Sequence, residues 1–109
     1  DLYVIPRGTV PPNPSELLNS NNTKKIITFL RKKFDHIIFD GVPINGLPDS
    51  LIMASLVDRV VVVTSVGYTK IDELIETKKA LEKIDAKIAG IVANRTIQTK
   101  RGKYSNYYE

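Results

Sequence analysis

The chain has 109 residues, 42% hydrophobic and 26% charged, with a formal net charge of +4, no cysteine and one histidine. Those figures suit a single globular domain and leave no room for disulfides, thiolate metal sites or histidine-rich catalysis. The basic residues collect at Lys24-Lys25, Arg31-Lys32-Lys33, Lys78-Lys79 and Lys100-Arg101-Gly102-Lys103 with no aromatic interleaving, so nucleic acid is not expected as a partner.

Leu2-Tyr3-Val4-Ile5-Pro6 reads as a short strand ended by proline and Gly8. Val10-Pro11-Pro12-Asn13-Pro14 is rigid and extended, because each proline fixes φ and restrains the residue before it. Ser15 is placed to cap a short helix through Glu16-Leu17-Leu18. Ser20-Asn21-Asn22 interrupts it, and Asn22 or Thr23 caps a second helix running to Phe34 with Ile26, Ile27, Leu30 and Phe34 as its apolar stripe.

His36-Ile37-Ile38-Phe39-Asp40 has the near-continuous apolar content of a strand, followed by a loop from Gly41 to Pro48. Pro48-Asp49-Ser50 opens a helix to about Val57, and Asp58-Arg59 turns into Val60-Val61-Val62-Val63-Thr64-Ser65. Such a β-branched run predicts a parallel strand covered on both faces; it is also the longest apolar run, far short of a bilayer crossing. Thr69 is placed to cap the next helix, with Asp72 three residues on. Acidic Asp72, Glu73 and Glu76 precede basic Lys78, Lys79 and Lys83 in the sense the helix dipole favours. Ile71, Leu74, Ile75, Leu81 and Ile84 form its stripe, and Lys87 to Asn94 reads as a fourth strand. The order β-α-β-α-β-α-β with short loops predicts an α/β fold, a parallel sheet with flanking helices.

Ligands of open α/β sheets bind beyond the carboxyl ends of the strands. Asp40 ends one expected strand in the manner of a Walker B aspartate, where a rigid strand delivers one carboxylate to a phosphate-bound Mg²⁺; capping the following turn is the alternative. Asn94 ends another, where an amide reads an adenine edge or stabilises a turn. No GxxxxGKS/T phosphate loop occurs in these 109 residues. The chain begins at Asp1 without an initiator methionine, which reads as processing, excision or an incomplete sequence. Past Asn94, Tyr104, Tyr107 and Tyr108 sit among polar and basic neighbours with no helical or strand period. A flexible tail of that kind suits phosphate transfer to tyrosine, or is simply a disordered end.

Together these segments resemble the C-terminal part of the bacterial tyrosine kinase (BY-kinase) family, P-loop autokinases of capsular and extracellular polysaccharide assembly. The resemblance rests on Leu2-Tyr3-Val4-Ile5-Pro6-Arg7-Gly8 and, most specifically, Pro11-Pro12-Asn13-Pro14-Ser15-Glu16-Leu17-Leu18-Asn19-Ser20. It continues through Phe34 to Asp40, Asp49, Leu56-Val57-Asp58, the valine run, Gly90 to Asn94 and the tyrosine cluster. It implies that residues 1–95 are the C-terminal portion of a P-loop NTPase (partitioning-ATPase-like) domain without its Walker A half, and residues 96–109 a tyrosine-rich tail.

By the same resemblance, Asp40 acts on Mg²⁺, usually through water, and is the catalytic carboxylate. Asn94 lies near the base of ATP, and Tyr104, Tyr107 and Tyr108 are acceptors phosphorylated in trans within a homo-oligomer. The implied partner is a membrane-anchored polysaccharide chain-length regulator that activates the kinase, at the cytoplasmic face of the membrane. The lysine, hydroxyl and base of the P-loop half would lie upstream of Asp1, so this chain by itself is expected to be inactive.

Three departures bear on activity. Gly41-Val42-Pro43 stands where the family has Thr-Pro-Pro, Pro48 replaces a frequent threonine, and Arg59 follows Asp58 in place of glycine. Glycine at 41 adds freedom to the loop that holds Asp40. A non-catalytic phosphate acceptor and assembly module, and a partitioning-type P-loop ATPase, are the alternative functions; the last leaves the tail unexplained.

Overall fold

The structure is a computed structural model and describes residues 1–6, 8–44 and 47–96. Helix α1 (Pro14–Leu18) and helix α2 (Asn21–Arg31) are followed by α3 (Asp49–Ala54), strand β1 (Val60–Ser65), helix α4 (Ile71–Lys83) and strand β2 (Ile88–Asn94). β1 and β2 pair in parallel, from Val60 opposite Ile88 to Ser65 opposite Asn94, with a register shift between Val60 and Val61. The β1–α4–β2 unit is therefore an α/β crossover of the kind the alternating pattern predicts.

Two expected strands are absent. Neither 2–6 nor 36–40 has strand pairing, and the sheet of the described residues is β1 and β2 alone. Their apolar, β-branched content suits a pleated surface, but a strand exists only through a neighbour that completes its ladder. Tyr3 instead rests its ring on Phe34, centroids 5.3 Å apart.

Helix ends also depart from expectation. Asn13 is the N-cap residue of α1, with Pro14 in the first turn, where its missing N–H costs nothing. Ser15 lies inside the helix, and its Oγ donates to Asp49 Oδ1 at 2.5 Å, joining α1 to the start of α3. Ser20, not Asn22 or Thr23, caps α2: its Oγ accepts from Thr23 N at 3.3 Å. Thr23 Oγ1 in turn donates to Leu17 O at 2.6 Å, stitching the two helices at their corner. α2 stops at Arg31, short of Phe34, and α3 at Ala54, short of Val57. α4 begins after Lys70, whose N–H donates to Glu73 Oε2 at 3.4 Å, while Thr69 serves the preceding loop.

The core is thin. Among the described residues only Ile27, Ala54 and Leu81 are buried hydrophobics, one each from α2, α3 and α4. The predicted stripes are only partly covered: Ile26 and Ile71 are exposed, and so is Ile75. β1 shows the same one-sidedness, with Val60 and Val62 half-buried but Val61 and Val63 exposed. The expectation of cover on both faces therefore fails, because the described helices supply apolar side chains to one face only.

Candidate functional site

The connection from residue 36 to β1 has the path of a crossover. Arg31 Nη2, at the end of α2, pairs with Asp58 Oδ1 at 2.9 Å, just before β1 begins. The chain then leaves α2, passes through 36–40 without strand pairing, forms α3 and enters β1. The Arg31–Asp58 pair holds the end of α2 close to the start of β1. Asp40 comes at the carboxyl end of the 36–40 segment.

Asp40 is exposed and makes no hydrogen bond or ion pair among the described residues. The loop that follows it is held from below. Ser50 Oγ, in the first turn of α3, donates to Val42 O. A Cβ at Gly41 would stand 3.1 Å from Ser50 Oγ. Glycine here permits a close approach between loop and helix, a packing reason that the reading of added looseness lacked.

Asp40 opens onto a cleft of about 1150 Å³ between the 36–44 segment and β1. Thr64, Thr69 and Glu73 share its wall. None of these three was singled out from the sequence as a site residue, because Thr69 and Glu73 fit a helix start and Thr64 fits the end of a strand. Thr69 Oγ1 accepts from Ser65 N at 2.9 Å, which closes the loop after β1, with Gly67 at φ 81° completing the turn. That positive φ is available to glycine at no steric cost.

Asn94 does not line the cleft with Asp40. It ends β2, its main-chain carbonyl accepts from Val66 N at 3.0 Å, and its side-chain Oδ1 accepts from Arg95 N at 2.8 Å. The turn-stabilising role is thus visible at Asn94, with Arg95 in the left-handed region at φ 57° and its guanidinium 4.8 Å from the Tyr68 ring centroid. Tyr104, Tyr107 and Tyr108 lie outside the described residues.

The described residues hold no cluster of three or more His, Cys, Asp or Glu side chains, so a cation at Asp40 would take at most two such ligands from them. That donor set fits Mg²⁺, which keeps several waters and takes its remaining ligands from phosphates. Asn94 is exposed at the carboxyl end of β2.

No protein-family model matches the chain. It is similar to the tyrosine-protein kinase CpsD of Streptococcus agalactiae, 37% identical over 108 residues, which are 97% of this chain and 47% of the kinase. It is similar to the tyrosine-protein kinase YwqD of Bacillus subtilis, 33% identical over 106 residues, covering 97% of this chain and 45% of that protein. The tyrosine-protein kinase ptk of Acinetobacter johnsonii matches at 34% over 101 residues, which are 93% of this chain and 14% of that protein. Among solved structures, the kinase domain of VpsO superposes with a TM-score of 0.78 at 29% identity, over 83% of this chain and 44% of that one. The resemblance read from the sequence and the α/β class are both borne out. The chain spans about half the length of CpsD and YwqD.

Proposed function

We propose that this chain, a relative of the bacterial tyrosine-protein kinases, is part of an ATP-dependent protein-tyrosine autokinase controlling capsular or extracellular polysaccharide synthesis and export. The observation that carries the reading is the 37% identity to CpsD over 97% of the chain. Residues 1–95 are the C-terminal part of its P-loop domain and 96–109 its acceptor tail.

When bound, Mg²⁺–ATP supplies the γ-phosphoryl group and neutralises its charge. Asp40 holds the water shell of the cation, its carboxylate free of other partners and carried at the end of an extended segment. Gly41 and Ser50 hold the loop behind it. Asn94 borders the base, and Tyr104, Tyr107 and Tyr108 bring acceptor hydroxyls into the site of a neighbouring copy. A membrane-anchored chain-length regulator activates the assembly at the inner face of the membrane.

A specific feature favours a second reading, a phosphate acceptor without activity of its own: the 109 residues contain no GxxxxGKS/T loop. One experiment separates the two. The purified chain is given Mg²⁺–ATP alone, with the part of S. agalactiae CpsD that it does not match, or with intact YwqD, and probed for phosphotyrosine. Phosphate on Tyr104, Tyr107 and Tyr108 with the CpsD part supports the kinase reading. Phosphate only with intact YwqD supports the acceptor, and none in any mixture removes both.

A further inference from the structure

Helix α2 carries an apolar pair on the side away from the core. Ile27 is its buried residue, whereas Ile26 and Phe29 are 56% and 55% exposed. At about 100° per residue, Phe29 lies roughly 160° round the helix from Ile27. Its ring is therefore aimed outward, not left uncovered at the margin of the core. Lysines surround it on the same face, Lys25 one turn before and Lys32 and Lys33 one turn after. Lys33 Nζ stands 4.8 Å from the Phe29 ring centroid, a cation already resting on the apolar surface.

The charge on this helix has one sign. Residues 17–34 hold Lys24, Lys25, Arg31, Lys32 and Lys33 and no Asp or Glu, a local +5 in a chain whose net charge is +4. Arg31 is paired with Asp58, and the four lysines make no ion pair among the described residues. Helix α4 shows the ordinary solvated alternative. Its exposed Ile71 and Ile75 sit among Asp72, Glu73, Glu76, Lys78 and Lys79, and Lys78 pairs with Glu82. Opposite signs cancel there, and on α2 nothing cancels. An aromatic ring framed by unpaired lysines fits an anionic bilayer surface: the ring enters between headgroups while the ammonium groups snorkel to lipid phosphates. An acidic protein would be matched better by arginine forks, which pair carboxylates in a fixed geometry. The one arginine of this helix is already taken by Asp58.

We infer that the outward face of α2, centred on Phe29 and framed by Lys25, Lys32 and Lys33, docks onto an anionic phospholipid bilayer with the helix lying in the plane of the headgroups. The contact is made by this chain's own side chains, with no anchored protein between, and it does not rest on the kinase reading. Each lysine near such a surface raises partition about fivefold, and half-burying a phenylalanine ring adds about tenfold. Binding is therefore reversible and weakened by salt. A bilayer under Phe29 puts the cleft, which Ile27 helps to line, on the far side of the helix from the lipid.

The chain contains no tryptophan, so Phe29→Trp gives a single reporter at the centre of the face. Its emission is followed with vesicles of equal phosphatidylglycerol and phosphatidylcholine, and with vesicles of phosphatidylcholine alone, at ~0.1 M salt. A blue shift with the anionic vesicles only, reversed near ~0.5 M salt, is expected. Lys25→Gln, Lys32→Gln and Lys33→Gln together should weaken partition by about 100-fold. Phe29→Ala, read by sedimentation with the same vesicles, should weaken it by about tenfold. Lys100→Gln, Arg101→Gln and Lys103→Gln together should leave the blue shift in place, which separates α2 from the basic tail. The α2 positions are exposed, so the variants there should unfold at the parent's temperature. The inference is overturned if the anionic vesicles produce no shift, if the triple Gln variant of α2 binds as the parent does, or if the tail changes alone abolish binding. It is also overturned if polyglutamate shifts the emission and vesicles do not, which would make the partner an acidic protein. The same holds if the unmatched part of S. agalactiae CpsD buries the tryptophan and prevents vesicle binding, which would make the face an internal contact.

Discussion

Ser15 Oγ donates to Asp49 Oδ1 at 2.5 Å across 34 positions of sequence, fastening the first helix to the start of the third. The bond is part-buried and charge-assisted, the stronger class of hydrogen bond. Ser15→Ala is expected to cost about 1.5–3 kcal/mol, read as a lower urea midpoint with unchanged slope. A change below ~0.5 kcal/mol would mean that water replaces the serine freely.

Gly41 and Ser50 are expected to behave as a coupled pair. Gly41→Ala places a methyl 3.1 Å from Ser50 Oγ and displaces it from Val42 O. Each single change, Gly41→Ala and Ser50→Ala, should cost about 1 kcal/mol, and the double mutant should cost clearly less than the sum. Strict additivity in urea titrations would show that the loop behind Asp40 is not held through Ser50.

Leu81 and Ile38 mark the two ends of the burial range. Leu81 is wholly buried, so Leu81→Ala should cost about 2–5 kcal/mol. Ile38 is 92% exposed, and Ile38→Ala should leave the isolated chain within about 0.5 kcal/mol of its parent. Thermal unfolding of both variants checks the contrast; a large loss at Ile38 would mean that the extended segment is packed in the chain by itself.

Asp40→Asn keeps shape and removes charge at an exposed site without partners, so the fold should be unaffected. In the mixture with the unmatched CpsD part, Mg²⁺-dependent phosphotyrosine formation should fall by about 100-fold or more. Retained activity with normal Mg²⁺ dependence would remove Asp40 from the site.

Three phosphates on Tyr104, Tyr107 and Tyr108 would each add about −1.5 to −2 charges. The tail carries Lys100, Arg101 and Lys103 against Glu109, so it would pass from about +2 to about −2.5 to −4. The assembled protein is expected to dissociate on phosphorylation, and the triple Phe variant to stay assembled, both followed by light scattering. Phosphate-dependent dissociation of the Phe variant would move the switch elsewhere.

Local signals were legible in the sequence. Residues 71–83 carry both the apolar period and the charge order of a helix, β1 announces itself by a run of β-branched residues, and β2 by a short, mostly apolar stretch. Asp40 was legible as a carboxylate at the end of an extended run. Partnership was not legible: Ile37–Phe39 looks as strand-like as Val60–Val63, yet only the latter has a ladder in this chain. Caps failed for a related reason, since Ser15 has a better use in Asp49 than in its own helix, and no local pattern encodes a contact 34 residues away. Thr64, Thr69 and Glu73 were missed because their local roles at strand and helix ends accounted for them fully.

The pairing of β1 with β2 also sets a timetable. Asn94 follows its partner Ser65 by 29 residues, so at roughly 5–20 residues per second a ribosome takes about 1.5–6 s to deliver the second strand. During that interval β1 emerges without its β2 partner, while α4, a 13-residue helix with acidic first and basic last turns, can already coil. The nascent protein thus passes through a window in which four consecutive valines lack their ladder to β2, and quality-control factors that seize extended apolar segments would meet it there.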